Sequence, residues 1–455
     1  MLFYYALIKK KERAISSKTR NKRIIALLIP TVIFVSMGQS VYWQTMPLIG
    51  RELGFSVKLI NSLVSFSALM FLIFTPYWGK LSDRKGRKFV LLIGLVGYIF
   101  STLIFCWIAY LGLIGYFTFT TLIFLILMAR VLNSALGAGM RPATGATVAD
   151  VTTEENRSAG MGQFGAANNI GTILGPVLVA FIAFLFAQTS IFPSFLEPYG
   201  RLIPLMVMTF LMVIALFFVY FYLPESFVKQ ETNSQKKGFN FDKRNLMLIS
   251  TGVLIFSSFA IIQSITAFYL QDTFSLSILV TQQSLGIALG FMALTSIVAQ
   301  LTIVQKIKVL PIKLIQWSTP FFILGTLIAV YTSNFNFYVF GMMLIGLGMG
   351  LGTPGYTAAA SLNADSDSQG AAVGLAMVAP GLGFSLGPLL GGFLYEISPS
   401  FPFLIILPIF VTVIFDTAPS FTIAVAVAAS VSGVVYILNS PDLELCAVFV
   451  ELAGI

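Results

Sequence analysis

The chain has 455 residues, no histidine and a formal net charge of +9; 57% of it is hydrophobic and only 10% is charged. Soluble proteins carry about a quarter charged residues, and a mean hydropathy of +0.91 leaves more apolar surface than a water-soluble domain of this size can bury. A polytopic membrane protein is therefore predicted. The lack of histidine excludes imidazole-held metals and haem and Ser-His-Asp catalysis. Two cysteines, Cys106 and Cys446, exclude a disulfide scaffold, a four-cysteine zinc site and a four-thiolate iron–sulfur cluster. No cofactor and no metal is expected.

In chain order, an apolar run, Leu2–Ile8, precedes a basic cluster, the reverse of a secretory signal. Residues 1–23 then read as a cytoplasmic basic arm that sets topology rather than a lipid-headgroup site. A bilayer-crossing helix needs about 20 predominantly apolar residues. Such segments occur at 24–49, 59–79, 89–111, 116–140, 158–187 and 202–223. A polar loop follows at 224–245, and further apolar segments at 246–271, 281–305, 312–332, 335–360, 369–395 and 401–420. The prediction is two six-helix halves, 24–223 and 246–420, and an atypical appendage, 421–455. That appendage contains one more apolar run, 421–438, read as not spanning. Segments apolar on every face and this long are not strands of an outer-membrane barrel.

The basic residues support this count. With the N-terminus inside, 23 of the 27 Lys and Arg fall on cytoplasmic segments, and only Arg51, Lys58 and Arg201 fall outside. This bias explains the positive charge without nucleic acid.

The halves resemble each other at an offset of 212 residues. Gly171, Gly175 and Pro176 match Gly383, Gly387 and Pro388; Pro142 matches Pro354, and Phe181 matches Phe393. Parallel repeats of this kind imply a substrate site between them near the midplane. Spacing of four places Gly171 and Gly175 on one face, and likewise Gly383 and Gly387. Such smooth faces admit close helix approach, and the prolines add kinks.

The loop after the second span, Gly79–Lys88, reads GKLSDRKGRK. Gly79 permits close packing at the span end, Gly86 a left-handed turn. Asp83 can accept from a helix N-terminus or from Arg87. Here the chain resembles the major facilitator superfamily, whose signature between helices 2 and 3 is G-x-L-[AS]-D-R-x-G-R-[RK]. The resemblance covers about residues 24–415. It implies twelve transmembrane helices and transport by rocking two halves. It also implies a conformational latch of Gly79, Asp83, Arg84, Gly86, Arg87 and Asp150, with Asp365 and Asp367 of the 10–11 loop either facing the basic cluster or simply capping helix 11. Asp150 is expected to pair with Arg87 or Arg157. Leu223–Ser226 (LPES) matches the family's sequence after helix 6.

Arg130 lies inside the fourth span, where a charge is costly and marks function by default. It fits the first position of the family's R-x-x-Q-G-x-G, from which Asn133 and Ser134 depart. Arg130 and Asp150 are the coupling candidates; arginine keeps its proton, so Arg130 tunes a neighbour or binds an anionic substrate. The fifth-span version of G-x-x-x-G-P-x-x-G-G marks drug and proton antiporters. Here Val179 and Ala180 replace its final glycines, whereas the eleventh span has the full pattern. Polar residues deep in apolar spans are the cavity candidates: Gln39, Trp43, Gln44, Asn133, Asn168, Asn169, Gln263 and Tyr269. Each can equally serve as an interhelical hydrogen bond.

No pair of acids, metal cluster or activated nucleophile lies within the spans, so no enzyme is expected. The reading is a secondary transporter of a small organic solute, of the tetracycline and multidrug efflux type, coupled to protons. The partners are the substrate, protons and the bilayer, the state a monomer, and the location a bacterial inner membrane. The alternatives left open are export or import of an endogenous metabolite, such as a siderophore or a sugar-like solute, and a non-transporting membrane sensor.

Overall fold

The computed structural model of the protein describes residues 2–152, 154–188, 200, 202–226, 243–306, 309–362 and 369–417. These residues are overwhelmingly helical, and no strand occurs among them. The helices are α1 (Leu2–Glu52), α2 (Val57–Lys85), α3 (Arg87–Leu113), α4 (Phe119–Gly137), α5 (Met140–Val151), α6 (Glu154–Gln188) and α7 (Ile203–Tyr222). They continue with α8 (Lys243–Thr273), α9 (Ile278–Ala299), α10 (Pro311–Tyr331), α11 (Phe335–Leu362), α12 (Gln369–Ile397), α13 (Phe401–Leu404) and α14 (Ile406–Thr417). A π-helical turn, Gln300–Val304, extends α9. Eleven of the resulting segments are long and apolar enough to cross a membrane, with a shorter apolar helix at Phe401–Phe410. The architecture is the predicted all-α, twelve-helix fold. The run 421–438 and the cysteine Cys446 lie outside the described residues.

Local chemistry explains several boundaries. Gly54, at φ +79°, closes α1, and the Phe55 amide reaches back to the Gly50 carbonyl at 2.9 Å, the pattern a left-handed C-terminal glycine permits. Thr118 caps α4 by accepting from the Thr121 amide. The fourth span, Phe119–Val151, is broken between α4 and α5. Gly137, Gly139 and Pro142 cluster at that break, and proline supplies no amide to the turn before it. Trp78 of α2 donates from Nε1 to the Ala135 carbonyl at 2.6 Å, supplying a donor to the backbone where the helix yields.

The chain forms two compact units. Unit 1 comprises Met1–Ser56, Phe66–Gln235 and Ile278–Gly286; unit 2 comprises Val57–Ser65, Lys236–Ser277 and Ile287–Ile455. In unit 1, α1 packs along α6, and α3 packs against α4 and α7. In unit 2, α8 packs along α12, and α10 against α11. Unit 2 thus includes the first turns of α2, where Lys58 Nζ stands 4.3 Å over the Phe393 ring. Large apolar side chains that face outward, such as Phe100, Trp107, Phe210 and Phe217, suit the acyl chains of a bilayer.

Candidate functional site

The repeat seen in sequence is also a repeat of contacts. A Cβ on Gly171 would strike the Ile33 carbonyl oxygen, and it would come within 2.7 Å of Ser36 Cβ. On Gly175 it would come within 2.5 Å of Ser40 Cβ and 3.2 Å of the Met37 carbonyl oxygen. On Gly383 it would come within 2.5 Å of Phe256 Cβ, and on Gly387 within 2.6 Å of the Ser257 carbonyl oxygen. The glycines therefore let α6 touch the backbone of α1, and α12 the backbone of α8. The two residues met by Gly175, Met37 and Ser40, correspond in spacing to those met by Gly387, Ser257 and Ala260. Pro176 has no amide to give the Thr172 carbonyl one turn earlier. Ser40 of α1 replaces it, its hydroxyl donating to that carbonyl at 2.8 Å. In hydrocarbon an orphaned carbonyl is expensive, so the serine makes a proline inside this helix tolerable.

At the start of α3, Gly86 adopts φ +108°, a left-handed conformation open to glycine. The chain reverses there, and Arg87 turns back to Asp83, with which it pairs. Its Nε also donates to Asp150 Oδ2 at 3.0 Å, and another nitrogen donates to Ser82 Oγ at 3.2 Å. One guanidinium thus joins the ends of α2, α3 and α5. Arg84 is exposed beside it. A Cβ on Gly79 would meet nothing within 4 Å. Asp365 and Asp367 lie outside the described residues, and so does the Arg157 side chain.

Glu225 completes this cluster and was not singled out from sequence. Its carboxylate accepts from the Arg87 amide at 2.9 Å and from the Lys88 amide at 3.2 Å. It also accepts from the Ser226 amide at 3.1 Å. It caps the positive N-terminal end of α3, and a side chain at Gly86 would collide with it. The available signal was an acid just after a span that ends beside the start of α3.

Arg130 is buried in α4, at 7% exposure. Its guanidinium carbon stands 4.6 Å from the centre of the Tyr42 ring of α1. Tyr42 and Tyr98 of α3 meet edge to face at 6.1 Å. Asn133, one turn along α4, donates to Ser101 Oγ at 2.9 Å and to Thr102 Oγ1 at 3.4 Å. The structure does not bring Arg130 and Asp150 together. They stand 20 positions apart along one span, about 30 Å of helical rise, and Asp150 is engaged by Arg87.

The remaining cavity candidates divide. Asn168 accepts from Ser36 Oγ at 2.7 Å and donates to the Phe164 carbonyl at 2.9 Å, so it ties α6 to α1. Tyr269 donates to the Val330 carbonyl at 3.1 Å and stacks on Tyr338. Gln39 is half-buried near Gly137, and Trp43 and Asn169 are also half-buried. Gln263 is buried in α8. Gln44 is 1% exposed, with neither end of its amide hydrogen-bonded.

Apolar helices in two repeat-related units, with this ion-paired loop, define a polytopic membrane transporter. The chain belongs to the Major Facilitator Superfamily, whose sequence model matches residues 28–318 and 248–423. Over 399 residues it is 26% identical to multidrug resistance protein 2 of Bacillus subtilis, covering 85% of this chain and 92% of the relative. Over 181 residues it is 32% identical to the class E tetracycline resistance protein of Escherichia coli, covering 37% and 39% of the two chains. Among solved structures, the nucleoside transporter NupG superposes with a TM-score of 0.69 at 15% identity, over 88% of this chain and 100% of that one. The D-xylose–proton symporter superposes with a TM-score of 0.62 at 17% identity, covering 85% and 96%. These superpositions establish the fold. The protein is a multi-pass membrane transporter for a small molecule and not an enzyme.

Proposed function

We propose that this transporter exports drug-like compounds from the bacterial cytoplasm in exchange for protons. The observation that carries the reading is the full-length similarity to a multidrug resistance protein, joined to the Gly171–Pro176 contact of α6 with α1. The protein works as a monomer in the inner membrane, with its N-terminus and the 224–245 loop in the cytoplasm. The Asp83–Arg87–Asp150 cluster is its cytoplasmic latch. Asp150 is the proton carrier: protonation removes its charge and releases Arg87, which then retains Asp83 alone. Arg130 cannot itself release a proton at ordinary pH.

The test is accumulation of tetracycline, norfloxacin, ethidium and carboxyfluorescein in cells expressing the chain, with and without a protonophore. Lowered accumulation of at least one compound, restored by the protonophore, is the expected result. Unchanged accumulation of all four overturns drug efflux. Lowered accumulation that ignores the protonophore overturns proton coupling.

A further inference from the structure

The fourth span carries a second arginine. The apolar pattern of the sequence ends that span at residue 140, just short of Arg141. In the structure the span runs from Phe119 to Val151, and Arg141 sits in the first turn of α5. About 15 Å of helical rise separates it from Val151 at the end of the span. An ionisable residue inside a span marks function by default.

The neighbours of Arg141 on its own helix face show where it points. Gly145 follows one turn later, and a Cβ there would stand 3.6 Å from the Phe164 ring of α6. Gly137 precedes it by one turn, across the break, and a Cβ there would stand 3.9 Å from Gln39 Nε2 of α1. Residues four apart share a helix face, so Arg141 faces the groove between α1 and α6. The two glycines leave that groove open around the guanidinium. The Arg141 side chain is exposed although it lies deep among the helices. This is the position of a group on the wall of an internal groove, not on the lipid-facing side of the bundle.

Among the described residues, no hydrogen bond or ion pair engages the Arg141 guanidinium. Residues 24–50 of α1 and 163–185 of α6 contain neither Asp nor Glu. Asp150, the acid of α5, is held by Arg87. Arg130 is a separate charge, placed over the Tyr42 ring. Gln39 is half-buried, and its amide likewise has no hydrogen-bond partner among the described residues. Arginine keeps its proton, and its planar fork of N–H groups matches two oxygens of a carboxylate or phosphate. The Gln39 amide can turn an N–H to the same group. An accessible fixed charge with a neutral donor beside it, and no acid facing either, is the complement of an oxyanion.

We infer that Arg141, with Gln39 beside it, forms an oxyanion-recognition subsite in the groove between α1 and α6, and that the compounds carried by this transporter bear a carboxylate or an equivalent acidic group. This rests on the efflux reading above and specifies the chemistry of its cargo.

The test uses the purified full-length protein in phosphatidylcholine nanodiscs and two fluorescent probes read by polarisation, anionic carboxyfluorescein and cationic ethidium. Arg141→Gln should lose about ten- to a hundredfold in carboxyfluorescein affinity, the range expected for hydrogen bonds to a charged group, and should not weaken ethidium. Arg141→Lys keeps the charge without the planar fork and should fall between. Gln39→Leu should weaken carboxyfluorescein alone, by up to about tenfold. The inference is overturned if wild type does not bind carboxyfluorescein, if its affinity is unchanged in Arg141→Gln, or if ethidium loses as much. A lipid headgroup is the other source of an oxyanion. If phosphatidylglycerol in the discs removes the difference between wild type and Arg141→Gln, the guanidinium serves the membrane and the inference is overturned. If Arg141→Gln does not yield folded protein, Arg141→Lys and Gln39→Leu decide, and unchanged carboxyfluorescein affinity in both overturns the inference. Failure of the cells to expel any test compound counts against the efflux reading, whereas the polarisation result alone decides the subsite.

Discussion

Lys88 and Glu225 close each other's helices. The Lys88 amide, in the first turn of α3, donates to the Glu225 carboxylate at 3.2 Å. The Lys88 ammonium donates to the Tyr220 carbonyl in the last turn of α7 at 2.8 Å. The positive end of one helix meets an acid and the negative end of the other meets a base, both favoured by the helix dipoles. The exchange fixes the start of the central loop beside the signature loop.

Glu225→Gln keeps the shape of this cap and removes its charge. Loss of a capping group costs about 0.5–2 kcal/mol locally. Hydrogen exchange at the Arg87 and Lys88 amides should speed up, while amides in mid-α3 keep their protection. Unchanged exchange at both amides would show that the carboxylate does not hold the helix end.

Asp83→Asn should abolish transport and leave membrane insertion intact. The Asp83 side chain is 64% exposed, and exposed pairs contribute only about 0–1 kcal/mol to stability. Melting temperature should therefore hardly move while flux disappears. Wild-type flux in the variant would remove the latch.

Ser40 and Pro176 should show strong coupling in a double-mutant cycle. Ser40→Ala leaves the Thr172 carbonyl without its donor and should cost about 1–3 kcal/mol. Pro176→Ala restores an amide to that carbonyl, so in its background Ser40→Ala should cost much less. Additive effects on thermal stability would refute the assigned role of the serine.

Glycines of the same type should respond differently to alanine. Gly171→Ala drives a methyl into the α1 backbone, and overpacking of this kind costs about 1–3 kcal/mol. At Gly165 a Cβ meets nothing within 4 Å, and alanine there should stabilise the helix by up to about 1 kcal/mol. Equal melting temperatures for the two variants would contradict the packing.

Single cysteines in the Lys9–Arg23 arm and in the 224–245 loop should resist a membrane-impermeant thiol reagent in intact cells and react in inverted vesicles. Cys446 is replaced in the parent, and the buried Cys106 stays silent. Labelling of either segment in intact cells would invert the topology.

The sequence alone determined the class, the span count and the repeat. Twenty-residue apolar runs leave few structural choices, because each backbone polar group in lipid must be satisfied within its own helix. Basic residues sorted by loop give the expected orientation for the same reason of solvation. The pairing of Asp150 with Arg87, one of its two expected bases, was also legible, since Asp150 ends the span beside the signature loop. Tertiary structure decided what depends on distance between remote segments. Glu225 caps α3 from 138 residues away, and Ser40 repairs a carbonyl 132 residues away. Asn133 and Asn168 read identically to cavity-lining amides until their partners, Ser101 and Ser36, come into view. Arg130 was visible as a charge in a span, but its place over the Tyr42 ring of α1 was not. Periodicity and composition encode which face of a helix is buried; which partner the buried group meets is set by packing.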